Sequence, residues 1–182
     1  MLFFVLMKYF AFFFVLVTLS TAAKAQAFPE AFMGRWKGEI TWYQQGKAAP
    51  QKIPAQLRVL PADSAGHFTW QIIYGAEEKD NRPYILKSVD TAKGHWVIDE
   101  RNGIVLDQYW IGGRFSGAFR LEAVTIVNSY WIEGEELMIE FYTISNKSPN
   151  RTGNGTDASP HVDSFRLGGY QKGVLRKVKS EK

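Results

Sequence analysis

Residues 104–145 read IVLDQYWIGGRFSGAFRLEAVTIVNSYWIEGEELMIEFYTIS. Apolar and polar side chains alternate along it with period two, the pattern of a strand with one buried face. Gly112-Gly113 and Glu133-Gly134-Glu135 break the alternation, and upstream Asp99-Glu100-Arg101-Asn102-Gly103 offers an Asn-Gly pair. Such residues tolerate the positive φ of tight hairpin turns, which make the flanking strands antiparallel. Working outward, the same texture predicts strands near 34–44, 52–60, 67–75, 82–90, 94–100, 104–111, 114–121, 123–132, 136–145 and 163–178. The helical candidate is Phe28-Pro29-Glu30-Ala31-Phe32-Met33, a short cap stopped by Gly34.

About ten antiparallel strands in one short domain leave two unpaired edges unless the sheet closes or splits. The meander-like spacing, with few long connections before residue 145, favours closure. The expected fold is therefore all-β, an antiparallel up-and-down β-barrel, with a β-sandwich as the alternative. Met33-Gly34-Arg35-Trp36-Lys37-Gly38 at the first strand resembles the Gly-x-Trp opening of the calycin superfamily, which holds lipocalins, fatty-acid-binding proteins and nitrobindin-like barrels. The resemblance implies a lipocalin-like barrel in which Gly34 and Trp36 close one end, with a last-strand cation over the indole. Arg176 is the candidate cation. The match covers the two ends of the domain.

Ahead of the strands, Lys8 sits in a strongly apolar run that gives way to Ala23-Lys24-Ala25-Gln26. Cation, apolar stretch and Ala-x-Ala in that order form a secretory signal, expected to be cut after Ala25; the competing reading is a retained anchor. Cleavage leaves residues 26–182 as one domain, with 20 basic and 18 acidic residues and a net charge of +2. A periplasmic or secreted location follows, with no membrane span in the mature chain. Near-balanced charge argues against a nucleic-acid partner. The chain has no cysteine, so Cys-ligated metals, thiol catalysis and disulfides are excluded. Residues 145–160 hold no apolar residue larger than Ala or Pro, and 145–162 is expected to form a mobile loop. They contain Asn-x-Ser/Thr triplets at Asn146, Asn150 and Asn154.

The period-two faces are rich in aromatic residues. Trp42, Trp70, Tyr74, Phe115, Phe119 and Phe141 are expected to point into the barrel, and a ten-stranded barrel is wide enough to enclose a cavity. Tyr109, Asn128 and Tyr130, with Tyr74, are the candidate polar groups of that cavity. Gly38 and Gly117 on the inward faces read either as space for a ligand or as strand bends. The resemblance to nitrobindin-like barrels singles out His161 as a candidate haem ligand; otherwise neither a cofactor nor a metal is expected, because His67, His95 and His161 lack metal-ligand spacing. Asp107 and Glu140 are candidates to pair across a cavity in acid–base work. The leading functional expectation is an exported carrier of a small apolar or amphipathic molecule. The alternatives are a barrel enzyme acting on a lipid-like or small cyclic substrate, and an interaction or inhibitor protein using residues 145–162.

Overall fold

A computed structural model describes residues 28–76, 80–147 and 150–179; the signal-peptide reading of residues 1–25 lies outside them. Ten strands make a closed antiparallel barrel: β1 (Gly34–Gln44), β2 (Gln51–Val59), β3 (His67–Tyr74), β4 (Asp80–Asp90), β5 (His95–Asp99), β6 (Val105–Ile111), β7 (Arg114–Leu121), β8 (Val124–Glu133), β9 (Glu136–Ser145) and β12 (Leu167–Lys177). Each pairs with its neighbour in sequence, and β12 closes the ring between β9 and β1. The sandwich alternative is set aside, because closure leaves no free edge.

The stretch expected to be structureless carries a small ribbon: β10 (Asn150–Thr152) pairs with β11 (Val162–Ser164), and Arg151 donates through Nε and Nη2 to both carboxylate oxygens of Asp163 at 2.7 and 2.8 Å. The expected strand 163–178 is accordingly two elements, β11 outside the barrel and β12 within it.

The barrel is filled unequally along its axis. At one end a 3-10 turn, Glu30–Phe32, turns the chain across the opening. Phe28, just before it, stacks on Phe115 (ring centroids 4.3 Å apart) and on Trp110 (5.2 Å), with its edge toward Trp96. Phe32, Trp70 and Phe115 are fully buried. Trp70 meets both Phe115 and Tyr130 edge-on at 5.1 Å. Burying such a ring stabilises by about 1.5–3 kcal/mol, and each well-set ring pair adds about 0.5–1.5 kcal/mol. This cluster supplies what a cysteine-free chain cannot draw from disulfides.

Trp36 lies at the same end, its Nε1 donating to the carbonyl oxygen of Phe32 at 2.8 Å. The cation over its ring is Lys177, with Nζ 5.4 Å from the centroid. Arg176, expected in that role, faces outward and donates from Nε and Nη2 to Glu136 Oε1 at 2.9 and 2.8 Å. The register explains the correction: Trp36 stands opposite Lys177 and Lys37 opposite Arg176, and a slip of one residue reverses the face. Gly34 is favoured here by its φ of 129°, a backbone conformation that side chains with a Cβ rarely adopt.

Candidate functional site

The opposite half of the barrel is not filled. A cavity of about 500 Å3 lies there, and strand alternation gives it two unlike walls. Trp42 on β1, Phe119 and Leu121 on β7, Ile126 on β8 and Phe141 on β9 form an apolar wall. Facing it, three successive strands supply a polar arc: Tyr74 from the end of β3, Asp80, Arg82 and Tyr84 from β4, and Glu100 just past β5. Each lies two residues from the next inward position of its strand, so one face carries them all. The exposed positions of Arg82, Ile104 and Leu121 mark the mouth.

Between the cavity and the packed half sits a buried amide pair. Asn128 Nδ2 donates to Gln108 Oε1 at 2.8 Å, and Gln108 Nε2 donates back to Asn128 Oδ1 at 3.4 Å. They are 2 % and 1 % exposed, so each amide depends on the other for its hydrogen bonds. A narrow extension of about 70 Å3 reaches down to them and to Trp70 and Tyr130. The Trp70 indole Nε1 at this floor is buried and meets no hydrogen-bond acceptor in bonding geometry among the described residues.

Gly117 does not leave space for a ligand: a Cβ there would lie 2.2 Å from Gln108 Nε2, so the glycine admits the amide pair. Gly38 likewise serves close approach, since a Cβ would meet the Val174 carbonyl oxygen at 2.0 Å.

The polar arc is internally connected. Arg82 donates from Nε to Asp80 Oδ1 at 2.9 Å and from Nη2 to Oδ2 at 2.8 Å, while its guanidinium carbon lies 5.0 Å from the Tyr74 ring centroid. The hydrogen bonds from Arg82 hold the Asp80 carboxyl below the usual range, and those bonds raise Arg82 in turn. Desolvation pushes the Tyr74 phenol up to about 12 and raises Tyr84, to which the Glu100 charge also contributes. Burial raises Tyr130 as well, and the neighbouring Tyr74 adds to the shift.

Of the residues expected to bind a ligand, Trp42, Tyr74, Phe119 and Phe141 line the cavity, and Trp70, Asn128 and Tyr130 form its floor. Two are corrected. Phe115 is fully buried beneath Phe28 in the packed half. Tyr109 is 39 % exposed on the outer surface, stacked on His95 at 4.7 Å, because the inward positions of β6 are Leu106, Gln108 and Trp110. Asp107 and Glu140 also face outward: Asp107 meets His95 at 2.7 Å, and Glu140 accepts from the Tyr170 hydroxyl at 2.7 Å. His161 is exposed on the loop joining β10 to β11, beside Gly155, and lines none of the barrel cavity. Its surroundings do not fit a haem, which needs a cleft for its apolar faces. Among the described residues no group of three or more His, Cys, Asp or Glu could hold a metal ion, and no helix is long and apolar enough to cross a membrane.

Sequence reasoning missed Asp80, Arg82, Tyr84, Glu100 and Gln108. The available signal was the β3–β4 register, in which Trp70 faces Tyr84 and Ile72 faces Arg82. Once Trp70 and Ile72 are taken as inward, Tyr84 and Arg82 must be inward as well.

A larger concavity, of about 970 Å3, lies outside the plugged end between Gly134, Glu136, Arg176 and Lys179. It has Trp36 and Ile132 at its base but a rim of charged side chains, and it is separate from the barrel interior.

Fold and cavity together define the class: a closed antiparallel barrel, plugged at one end, with an amphipathic chamber at the other. Compared with known proteins, the chain matches no family model and no curated protein.

Proposed function

We propose that this protein is an exported, lipocalin-like binding protein that holds one small amphipathic molecule in the open half of its barrel. The observation that carries this reading is the 500 Å3 cavity with an apolar wall on one side and a polar arc on the other. That volume is within the range of small-molecule sites, and the division of its walls suits a ligand with an apolar body and a polar end. The calycin-like Gly34-x-Trp36 opening with a last-strand cation over the indole supports the lipocalin-like assignment. The apolar run ending at Ala23-Lys24-Ala25 supports export.

The barrel-enzyme reading has one observation in its favour, the cluster of ionisable groups facing inward. The directions of their shifts favour holding over proton transfer. Asp80 is moved further toward its charged form at neutral pH, Arg82 likewise, and Tyr74 and Tyr84 toward their neutral forms. A general acid or base is instead tuned toward the working pH.

Titration with the neutral fluorophore N-phenyl-1-naphthylamine tests the binding reading. One probe per chain is expected to bind with enhanced emission, and Phe119→Ala is expected to weaken it about tenfold, the loss of about 1.4 kcal/mol of apolar contact. No emission change, or one indifferent to both Phe119→Ala and a cavity-filling Ile126→Trp, would count against a ligand in this chamber.

A further inference from the structure

The charge of the ligand's polar end follows from the bookkeeping of the arc, and the inference rests on the binding reading above. Among the described residues that line the cavity there are one guanidinium, Arg82, and two carboxylates, Asp80 and Glu100. The guanidinium does not act as a lone cation. Asp80 takes it in a two-pronged pair at 2.9 and 2.8 Å, which cancels both charges locally. Glu100 has no cation within ion-pair distance among the described residues; its Oε2 accepts from the neutral Asn102 Nδ2 at 3.3 Å. Among the described lining residues the chamber therefore presents one carboxylate without a cation, beside Tyr74 and Tyr84 and in hydrogen-bond reach of the Tyr84 hydroxyl. Arg82 over Tyr74 already demonstrates that this arc accepts a cation against a ring.

We propose that the chamber selects amphiphiles with a cationic head, an amine or ammonium group on an apolar body, and that Glu100 is the counter-ion. A carboxylate head would meet Glu100, which has no cationic partner among the described residues, as a like charge, and Arg82 would have to leave Asp80 to receive it. A neutral head satisfies neither group's charge and is held by its apolar body alone.

The test is displacement of N-phenyl-1-naphthylamine by dodecylamine, dodecanol and dodecanoate, each below its micelle concentration at neutral pH. The amine is expected to displace the probe at a concentration about tenfold lower than the alcohol, with the carboxylate weaker than the alcohol. Glu100→Gln should remove the advantage of the amine over the alcohol, with circular dichroism and a urea midpoint showing that the variant folds. Asp80→Asn should free Arg82 and improve dodecanoate. Dodecanoate equal to or better than dodecylamine in the unaltered protein overturns the proposal, as does an amine advantage that survives Glu100→Gln. If neither the probe nor the alcohol binds, the binding reading itself fails and this inference falls with it.

Discussion

Phe115 and Phe119 occupy the same face of β7, four residues and about 13 Å apart along the strand. The first is fully buried, with Phe28 stacked upon it and Trp70 against its edge; the second stands half-buried in the wall of the chamber. The two rings have the same chemistry and the same inward direction. What separates them is the Phe28–Phe32 segment, which enters one end of the barrel and not the other. A barrel of this width cannot be filled by its strand side chains alone, so whichever half receives the extra segment becomes core and the other becomes a chamber. The Gln108–Asn128 pair marks the level at which one turns into the other.

The most direct way to break this contrast is to truncate each ring in turn. Phe115→Ala should cost about 3–5 kcal/mol in urea unfolding, through lost burial and a cavity that cannot collapse. Phe119→Ala should cost about 1 kcal/mol or less in the same measurement, since its ring already borders open space. Equal losses would mean that the two halves do not differ as described.

Next in size is the amide pair at the boundary. Gln108→Leu should destabilise by about 1–3 kcal/mol because Asn128 is left buried with its hydrogen bonds unmade. Adding Asn128→Leu should restore much of that loss, so a double-mutant cycle should read a coupling of about 1 kcal/mol or more. Simple additivity of the two single changes would show that the pair does not act as a unit.

At the plugged end, Lys177→Ala should cost about 0.5–1 kcal/mol by removing the cation over Trp36. Arg176→Ala should cost less, because its pair with Glu136 is exposed to solvent and screened. The reverse order would return Arg176 to the closing role that the sequence had suggested.

The smallest effect concerns acid. Asp80 has a folded-state pKa below its unfolded value, so its contribution is fully present above about pH 4 and is lost as the pH falls through the folded value. Asp80→Asn should therefore lose less stability than the unaltered protein when unfolding is followed downward from about pH 4. Because the side chain is about half exposed, the difference should be small, and side-chain NMR titration of Asp80 is the sharper check of its direction.

Most of the fold was legible. Strand positions, the antiparallel hairpins and the short turn before Gly34 all follow from local rules, in which alternation sets a face and glycine sets a turn. The site was legible on its apolar side, where Trp42, Phe119 and Phe141 could be read directly as inward. Its polar side was not. Arg82 and Glu100 are charged residues in or beside strands, and such residues face water by default; only strand pairing puts them inside, Arg82 opposite Ile72 and Glu100 one step past the Asp99–Ile85 pair. Tyr109 and Arg176 failed for the complementary reason, since a slip of one residue in the assumed face moves a side chain through the sheet.

By itself, then, the sequence determined that this chain forms antiparallel strands with aromatic inner faces and no disulfide, because period and turn chemistry act over a few residues. Only the tertiary structure decided which half of the barrel is solid, which cation covers Trp36 and that Glu100 is left without a cationic partner among the described residues. Those outcomes depend on pairing between strands distant in sequence and on where the Phe28–Phe32 segment enters, and no local pattern carries that information.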